Sequence, residues 1–152
     1  MPHSTKGVIA GFIATVVISV IMLLLTAMGL PQFDIVTLID RLGSIGRGGA
    51  WVDHFIVGAL LWGPIFSGFE SVTAPAPIWQ KGLIFGGITW LLMMVIFMPV
   101  VGAGFFGIGL GLAEPLGMLF LHLVYGLVLG VTFGVVDVQV QALANRRLPR
   151  PE

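Results

Sequence analysis

Four apolar stretches, each about as long as a bilayer is thick, constrain the fold of this chain more than any other feature. They run approximately over residues 7–30, 51–69, 82–101 and 116–136. Crossing the hydrocarbon core takes roughly 20 residues of helix, and these stretches lack the alternation that barrel strands require. The sequence therefore predicts an all-α membrane protein, with four transmembrane helices forming a single transmembrane domain over residues 1–152.

The composition excludes several classes of protein. Hydrophobic residues make up 57% of the chain and charged residues 9%, and the formal net charge is zero, so we expect no nucleic-acid partner. Cysteine is absent, which excludes disulfides, thiolate metal sites and cysteine nucleophiles. The chain also lacks a Ser/His/Asp arrangement, a phosphate-binding glycine loop and a paired-carboxylate motif, so we expect no enzymatic activity.

Two connections between the stretches have recognisable patterns. Between the first two, apolar residues recur at helical spacing at Phe33, Ile35, Val36, Leu38, Ile39 and Leu42. This pattern predicts a short interfacial helix, with an amphipathic loop as the alternative, and the glycine-rich segment 43–49 is predicted to end it. Residues 101–114 are glycine-rich but apolar, so we expect that loop to pack against the bundle.

The distribution of basic residues predicts the orientation in the membrane. With four spans, the termini and the middle loop share one side, which holds Lys6, Lys81, Arg146, Arg147 and Arg150. The opposite side holds Arg41 and Arg47. Since cytoplasmic loops carry the excess of Lys and Arg, we expect both termini, including the basic tail 138–152, to be cytoplasmic.

The chain also repeats itself. The segment that begins Lys6-Gly7 is similar to the one that begins Lys81-Gly82, at an offset of 75 residues. His54-x-x-x-Gly58 is similar to His122-x-x-x-Gly126, at an offset of 68. We therefore predict two tandem helical-hairpin repeats, about 6–70 and 81–137, in parallel orientation. The two histidines are then expected at similar depth in one half of the bilayer.

Several of these segments also resemble a known family. They are Lys6-Gly7 through Thr15, Leu91-Leu92-Met93-Met94 with Met98-Pro99, residues 102–107, and the two His-x-x-x-Gly segments. Over nearly its whole length the chain resembles an uncharacterised family of small bacterial four-helix integral membrane proteins, classed as a domain of unknown function. The resemblance implies a multi-pass protein of the bacterial inner membrane and transfers no activity.

The candidate site residues are polar groups within or at the edge of the spans. His54 and His122 are candidate axial ligands of one b-type haem, with Gly58 and Gly126 leaving room beside them. Glu114 and Met118 precede His122 at four-residue steps on one helix face. A second interpretation is therefore a metal ion bound by His54, His122, Met118 and Glu114.

Three functions are compared, and the sequence favours the first, an accessory role, over the other two. The first is an accessory or assembly-type subunit of a larger membrane complex or a homo-oligomer, in which each histidine hydrogen-bonds a neighbouring helix or the headgroup region. The second is the haem or metal protein just described, acting in electron transfer or metal handling. The third is a small-solute transporter acting as an oligomer, with a path lined by Thr15, Ser19, Thr89 and Thr132, although span hydroxyls more often bond their own helix.

Overall fold

The computed structural model describes residues 1–30, 35–43, 45–111 and 113–146. In chain order its main helices are α1 (His3–Ala27), the short α2 (Ile35–Gly43), α3 (Gly46–Val72), α4 (Ile78–Val100) and α5 (Ala113–Arg146). Four of them, α1, α3, α4 and α5, are long and apolar enough to cross a membrane. The four predicted spans are therefore confirmed. We call α1 with α3 the first hairpin and α4 with α5 the second.

Helix α2 is the amphipathic segment between the first two spans. Val36 and Leu38 are buried, as the apolar face of such a helix should be. The predicted short helix is confirmed over residues 35–43, whereas Phe33 and Asp34 lie outside the described residues.

The ends of the spans differ from the sequence prediction in two places. The sequence predicts a helix break along the glycine-rich segment 43–49. Only part of this segment separates α2 from α3, because α3 begins at Gly46 and includes Gly48 and Gly49 in its first turn. The first turn of a helix has no internal partners for its N–H groups, so the fold loses little by accepting glycine there. At the other end of the chain, α5 continues through residues 138–146 of the predicted tail, and Arg147 and Arg150 lie outside the described part.

Glycines bring α4 and α5 into direct backbone contact. A Cβ atom at Gly82 would collide with the backbone carbonyl of Gly126, and one at Gly130 would lie 2.6 Å from the carbonyl oxygen of Ile78. Helices in lipid associate by such close packing, since apolar burial gives them little advantage over lipid contact. The second hairpin is therefore closed by its small residues.

The first hairpin is closed in the same way. A Cβ atom at Gly7 would collide with the carbonyl of Gly63, and one at Gly11 would lie 2.7 Å from the carbonyl oxygen of Gly58. Helix α1 also packs along α5, whereas α3 and α5 occupy opposite corners of the bundle.

Two crossed ion pairs join the hairpins at the end of the bundle that holds the N-terminus, which we call the lysine end. The Lys6 ammonium of α1 donates to the Asp137 carboxylate of α5. The Lys81 ammonium of α4 donates to the carbonyl oxygen of Glu70 in α3 at 2.9 Å and to its carboxylate at 3.2 Å. Both lysines are more than 90% buried, so their charges depend on these partners.

An aromatic layer fills the bundle one helical turn inside these ion pairs. The Phe66 ring lies 5.3 Å from that of Phe85 and 5.5 Å from that of Phe133, measured between ring centroids. Trp62 extends the layer by an edge-on contact with Phe85 at 6.0 Å. Because the three phenylalanines are at most 3% exposed, the lysine end of the bundle is densely filled.

Two of the membrane helices contain a π-helical segment, Ile56–Trp62 in α3 and Met93–Phe97 in α4. Each segment is followed, two residues after its end, by a proline, Pro64 or Pro99. A proline lacks an N–H group and its ring crowds the carbonyl four residues earlier, which falls inside the π-helical segment in both helices. The wider turn accommodates the proline without breaking the helix.

The uncharged loop that joins α4 to α5 is partly packed against the bundle, as predicted. Ala103 and Gly107 are buried, and the Phe106 ring lies 5.8 Å from that of Trp90. The Trp90 indole N–H also donates to the carbonyl of Pro115 at 2.9 Å, which ties α4 to the start of α5.

Adjacent glycines in α4 provide a matched test of this packing. A Cβ atom at Gly86 would collide with the carbonyl of His122, whereas one at Gly87 would meet nothing within 4 Å. We expect Gly86→Leu to destabilise the bundle by about 1–3 kcal/mol, the usual cost of overpacking, and Gly87→Leu to leave it intact. Thermal unfolding in detergent, followed by circular dichroism, measures the difference. Equal melting temperatures for the two variants would contradict this helix contact.

Candidate functional site

A partly open cavity of about 520 Å³ lies between the helices, in the half of the bundle away from the lysine end. Its walls are mainly apolar and include seven side chains that carry an N–H, O–H or carboxylate group: Thr15, Asp53, His54, Trp62, Thr89, His122 and Tyr125. Pockets that bind small organic ligands and cofactors have volumes of roughly 300–1,000 Å³ and a similar composition. The cavity is therefore the candidate site.

His122 reaches the cavity from α5. Its Nδ1 atom lies 2.8 Å from the carbonyl oxygen of Met118, one turn earlier on the same helix. A carbonyl oxygen can only accept, so Nδ1 carries the hydrogen and donates it. The other ring nitrogen, Nε2, then has a free lone pair in the neutral imidazole. This is the form in which histidine binds a metal, with its second nitrogen held by a backbone carbonyl.

His54 reaches the same cavity from α3, at the opposite corner of the bundle. Its ring makes edge-on contacts with Trp51 and Phe55, at centroid distances of 5.7 Å and 5.9 Å. Its Nε2 atom is buried and has no hydrogen-bond partner among the described residues. Because buried polar atoms in folded proteins are nearly always paired, this nitrogen is a position that a water molecule, an ion or a ligand atom can fill.

Three thioethers line the cavity together with the two imidazoles. Met118 was a predicted site residue, and it is joined by Met22 of α1 and Met93 of α4, which the sequence prediction did not include. Two other methionines near the ends of the first and third spans lie elsewhere: Met28 is 77% exposed and Met98 is buried close to Gly107.

The inward-facing glycines provide a signal that could have identified the two additional methionines. Steps of three and four residues from Gly11 lead through Thr15 and Ile18 to Met22. The same kind of steps from Gly86 in α4 lead to Met93. Residues at such steps share a helix face, so a face that begins with close-packed glycines continues into the cavity.

The two candidate glycines serve helix packing. Gly58 borders the cavity, and a Cβ atom there would collide with the hydroxyl of Thr15. Gly126 does not border the cavity and packs against the backbone of Gly82. Beside them, the Tyr125 hydroxyl donates to the carbonyl oxygen of Gly58 at 2.6 Å.

Glu114 lies outside the cavity, although it shares a helix face with Met118 and His122. It is 3% exposed and is covered by the loop at Gly107. One of its carboxylate oxygens, Oε1, has no hydrogen-bond partner in the part of the chain that the structure describes. The structure thus brings His54, His122 and Met118 together and leaves Glu114 about one turn away. No group of three or more His, Cys, Asp or Glu that could hold a metal is found within residues 1–30, 35–43, 45–111 and 113–146.

Both π-helical segments border the cavity. The segment Ile56–Trp62 supplies four lining residues and Met93–Phe97 supplies three. Single π turns within α-helices occur frequently at functional sites. Here Pro64 and Pro99 account for both segments, which place irregular backbone at the wall of the cavity.

The tautomer of His122 is directly measurable. We expect Nδ1 of His122 to carry a proton and Nε2 to carry none in the ligand-free protein at neutral pH, because Nδ1 donates to the Met118 carbonyl. Nitrogen-15 NMR of histidine-labelled protein in lipid measures this, with His122→Ala used to assign the signals. A proton on Nε2 with a bare Nδ1 would contradict the observed hydrogen bond.

Comparison with known proteins places the chain in a family. No curated protein and no solved structure matches the chain. A family model described as "Family of unknown function (DUF6789)" matches residues 1–144, which is nearly the whole chain. The protein, with its four helices apolar enough to cross a membrane, therefore belongs to the DUF6789 family of unknown function.

Proposed function

We propose that this protein is a membrane electron-transfer protein in which His54 and His122 bind one b-type haem from opposite sides of the central cavity. The observation that carries the proposal is that both imidazoles, from helices at opposite corners of the bundle, line one cavity of about 520 Å³. Two imidazole ligands leave no open position on the iron, which suits electron transfer rather than oxygen chemistry.

The hydrogen bonding favours this proposal over a purely structural role. In an accessory subunit each histidine would pair with a neighbouring helix, yet His122 bonds only the Met118 carbonyl of its own helix among the described contacts. His54 leaves its Nε2 atom buried and unpaired within the described residues. A bound metal centre that takes one nitrogen of each imidazole as a ligand accounts for both observations.

Transport has less support. The hydroxyls of Thr15, Ser19 and Thr89 each donate to a carbonyl of their own helix, at 2.7, 2.7 and 3.0 Å. The aromatic layer and the crossed ion pairs fill the lysine end of the bundle. A solute path would have to displace both.

A second candidate is copper binding, favoured by the thioethers. Met22, Met93 and Met118 line the cavity with the two histidines, and soft thioether ligands together with imidazole favour Cu(I). The cavity is large for a bare ion, which is why we place haem first. The ligand set of this alternative omits Glu114, because that residue lies outside the cavity.

The contacts also support the proposed parallel repeat. Each lysine begins the first helix of its hairpin and pairs with an acid near the end of the other hairpin's second helix. Glu70 and Asp137 are 67 residues apart, as are Phe66 and Phe133, whereas His54 and His122 are 68 apart. The π-helical segment Ile56–Trp62 lies between His54 and Phe66 in the first copy. Such a segment adds one residue without changing the helix face that follows, which accounts for the change of offset from 68 to 67.

Purification in mild detergent with haem supplied during expression tests the haem proposal. We expect a Soret band and sharp reduced α and β bands, as a six-coordinate bis-histidine haem gives. His54→Ala and His122→Ala should each abolish this spectrum, because each removes one axial ligand. His3→Ala is the matched control, since His3 lies at the lysine end and contacts Glu70 and Phe133.

Other outcomes of this experiment separate the alternatives. Loss of the spectrum in His3→Ala as well would mean that the absorbance does not report ligation in the cavity. Protein without haem but with about one copper per chain, reduced in Met118→Leu, would favour the copper candidate. Protein that binds neither would leave the accessory role.

We further propose that both termini and the loop between α3 and α4 face the cytoplasm of a bacterial inner membrane. Five basic residues on that side against two on the other support this orientation. Reporter fusions at Glu152 and near Gly46 should give cytoplasmic and periplasmic signals, respectively. A periplasmic signal at Glu152 would reverse the orientation and place the cavity on the cytoplasmic side.

A further inference from the structure

The two helices that carry the histidines are not held together by direct packing at the level of the cavity. Helix α1 packs against both α3 and α5, and α4 packs along α5, so α3 and α5 face each other across the bundle. The cavity occupies the space between them. The separation of His54 and His122 is therefore set indirectly, through the packing of α1 on both helices, and by any direct contact that spans the space between them.

One side-chain hydrogen bond spans it. The Tyr125 hydroxyl of α5 donates to the carbonyl oxygen of Gly58 in α3 at 2.6 Å, and Tyr125 is 8% exposed. A buried hydrogen bond of this kind is hard to replace, because water does not compete for the carbonyl in an apolar bundle. Gly58 also belongs to the π-helical segment of α3, so the bond reaches the most irregular part of that helix.

The bond lies close to both imidazoles. Tyr125 follows His122 by three residues and Gly58 follows His54 by four, which places the bond about one helical turn, roughly 5 Å, from each histidine along its helix. A constraint at this level limits how far α3 and α5 can move apart or rotate beside the cavity.

We propose that Tyr125 is a positioning residue that sets the separation and orientation of the His54–His122 pair through its hydrogen bond to Gly58. The part of this inference that concerns the cofactor rests on the proposed haem function. Residues that orient metal ligands typically change affinity or activity by 10- to 100-fold when they are mutated. The part that concerns helix separation is independent of any cofactor.

The test uses Tyr125→Phe, which removes one oxygen atom and keeps the ring. We expect haem affinity to fall by roughly 10-fold or more, with altered EPR g values and a changed reduction potential for the haem that still binds. The matched control is Ser19→Ala, which also removes a buried hydroxyl, but one that bonds the Thr15 carbonyl of its own helix and does not border the cavity. The control should keep the parent affinity and g values.

A second measurement needs no cofactor. The chain contains no cysteine, so Leu60→Cys in α3 and Val131→Cys in α5, both exposed in the parent, give a specific pair of spin labels. In ligand-free protein we expect the distance distribution between the labels to shift or broaden in the Tyr125→Phe background and to stay unchanged in the Ser19→Ala background.

The two measurements separate failure of the inference from failure of the proposed function. If the parent binds no haem but Tyr125→Phe changes the label distance, the haem function is wrong and the positioning role of Tyr125 is supported. If the parent binds haem and Tyr125→Phe leaves affinity, g values and label distance at parent values, the positioning role is wrong. A Ser19→Ala variant that behaves like Tyr125→Phe would also overturn it, since any lost buried hydroxyl would then have the same effect.

Discussion

Backbone contact between helices at glycine is the interaction on which this structure depends. In a lipid environment two apolar helices gain little by hiding side chains from the surroundings, so they associate where their main chains can approach closely. Gly7 against Gly63 and Gly82 against Gly126 provide that approach once in each hairpin. Close contact of α1 with α3, and of α4 with α5, does not by itself fill the space in the middle of the bundle. That space is either filled by side chains or left open.

The two ends of that space are filled differently. Toward the lysine end, Phe66, Phe85 and Phe133 occupy it with rings, and the crossed ion pairs close it beyond them. Toward the other end, the walls are mainly apolar side chains, joined by three thioethers, two imidazoles and a few other polar groups, and a cavity remains. The fold therefore combines a densely filled half with a half that contains a cavity.

The sequence was sufficient for the four long apolar helices and for the short helix α2, because these follow from hydropathy and helical periodicity. From matching short segments it also predicts that His54 and His122 lie at similar depth, and both line the cavity. It was not sufficient for Glu114, whose spacing from His122 predicts a shared face but cannot show that the loop at Gly107 covers it. The π-helical segments were also missed, although Pro64 and Pro99 within apolar stretches were a usable signal. The hydrogen bond from Tyr125 to Gly58 joins residues 67 positions apart, and periodicity along a single helix carries no information about such a pair.

The length of α5 has a mechanical consequence. Its 34 residues correspond to about 51 Å of helix, whereas the hydrocarbon core is about 30 Å thick. The helix therefore continues well past the ion pair at Asp137, and most of residues 138–146 are exposed. About nine residues, roughly 14 Å of helix, project beyond Asp137 as part of the same unbroken helix that carries His122. The ion pair to Lys6 therefore holds α5 at a point within its length and not at its end.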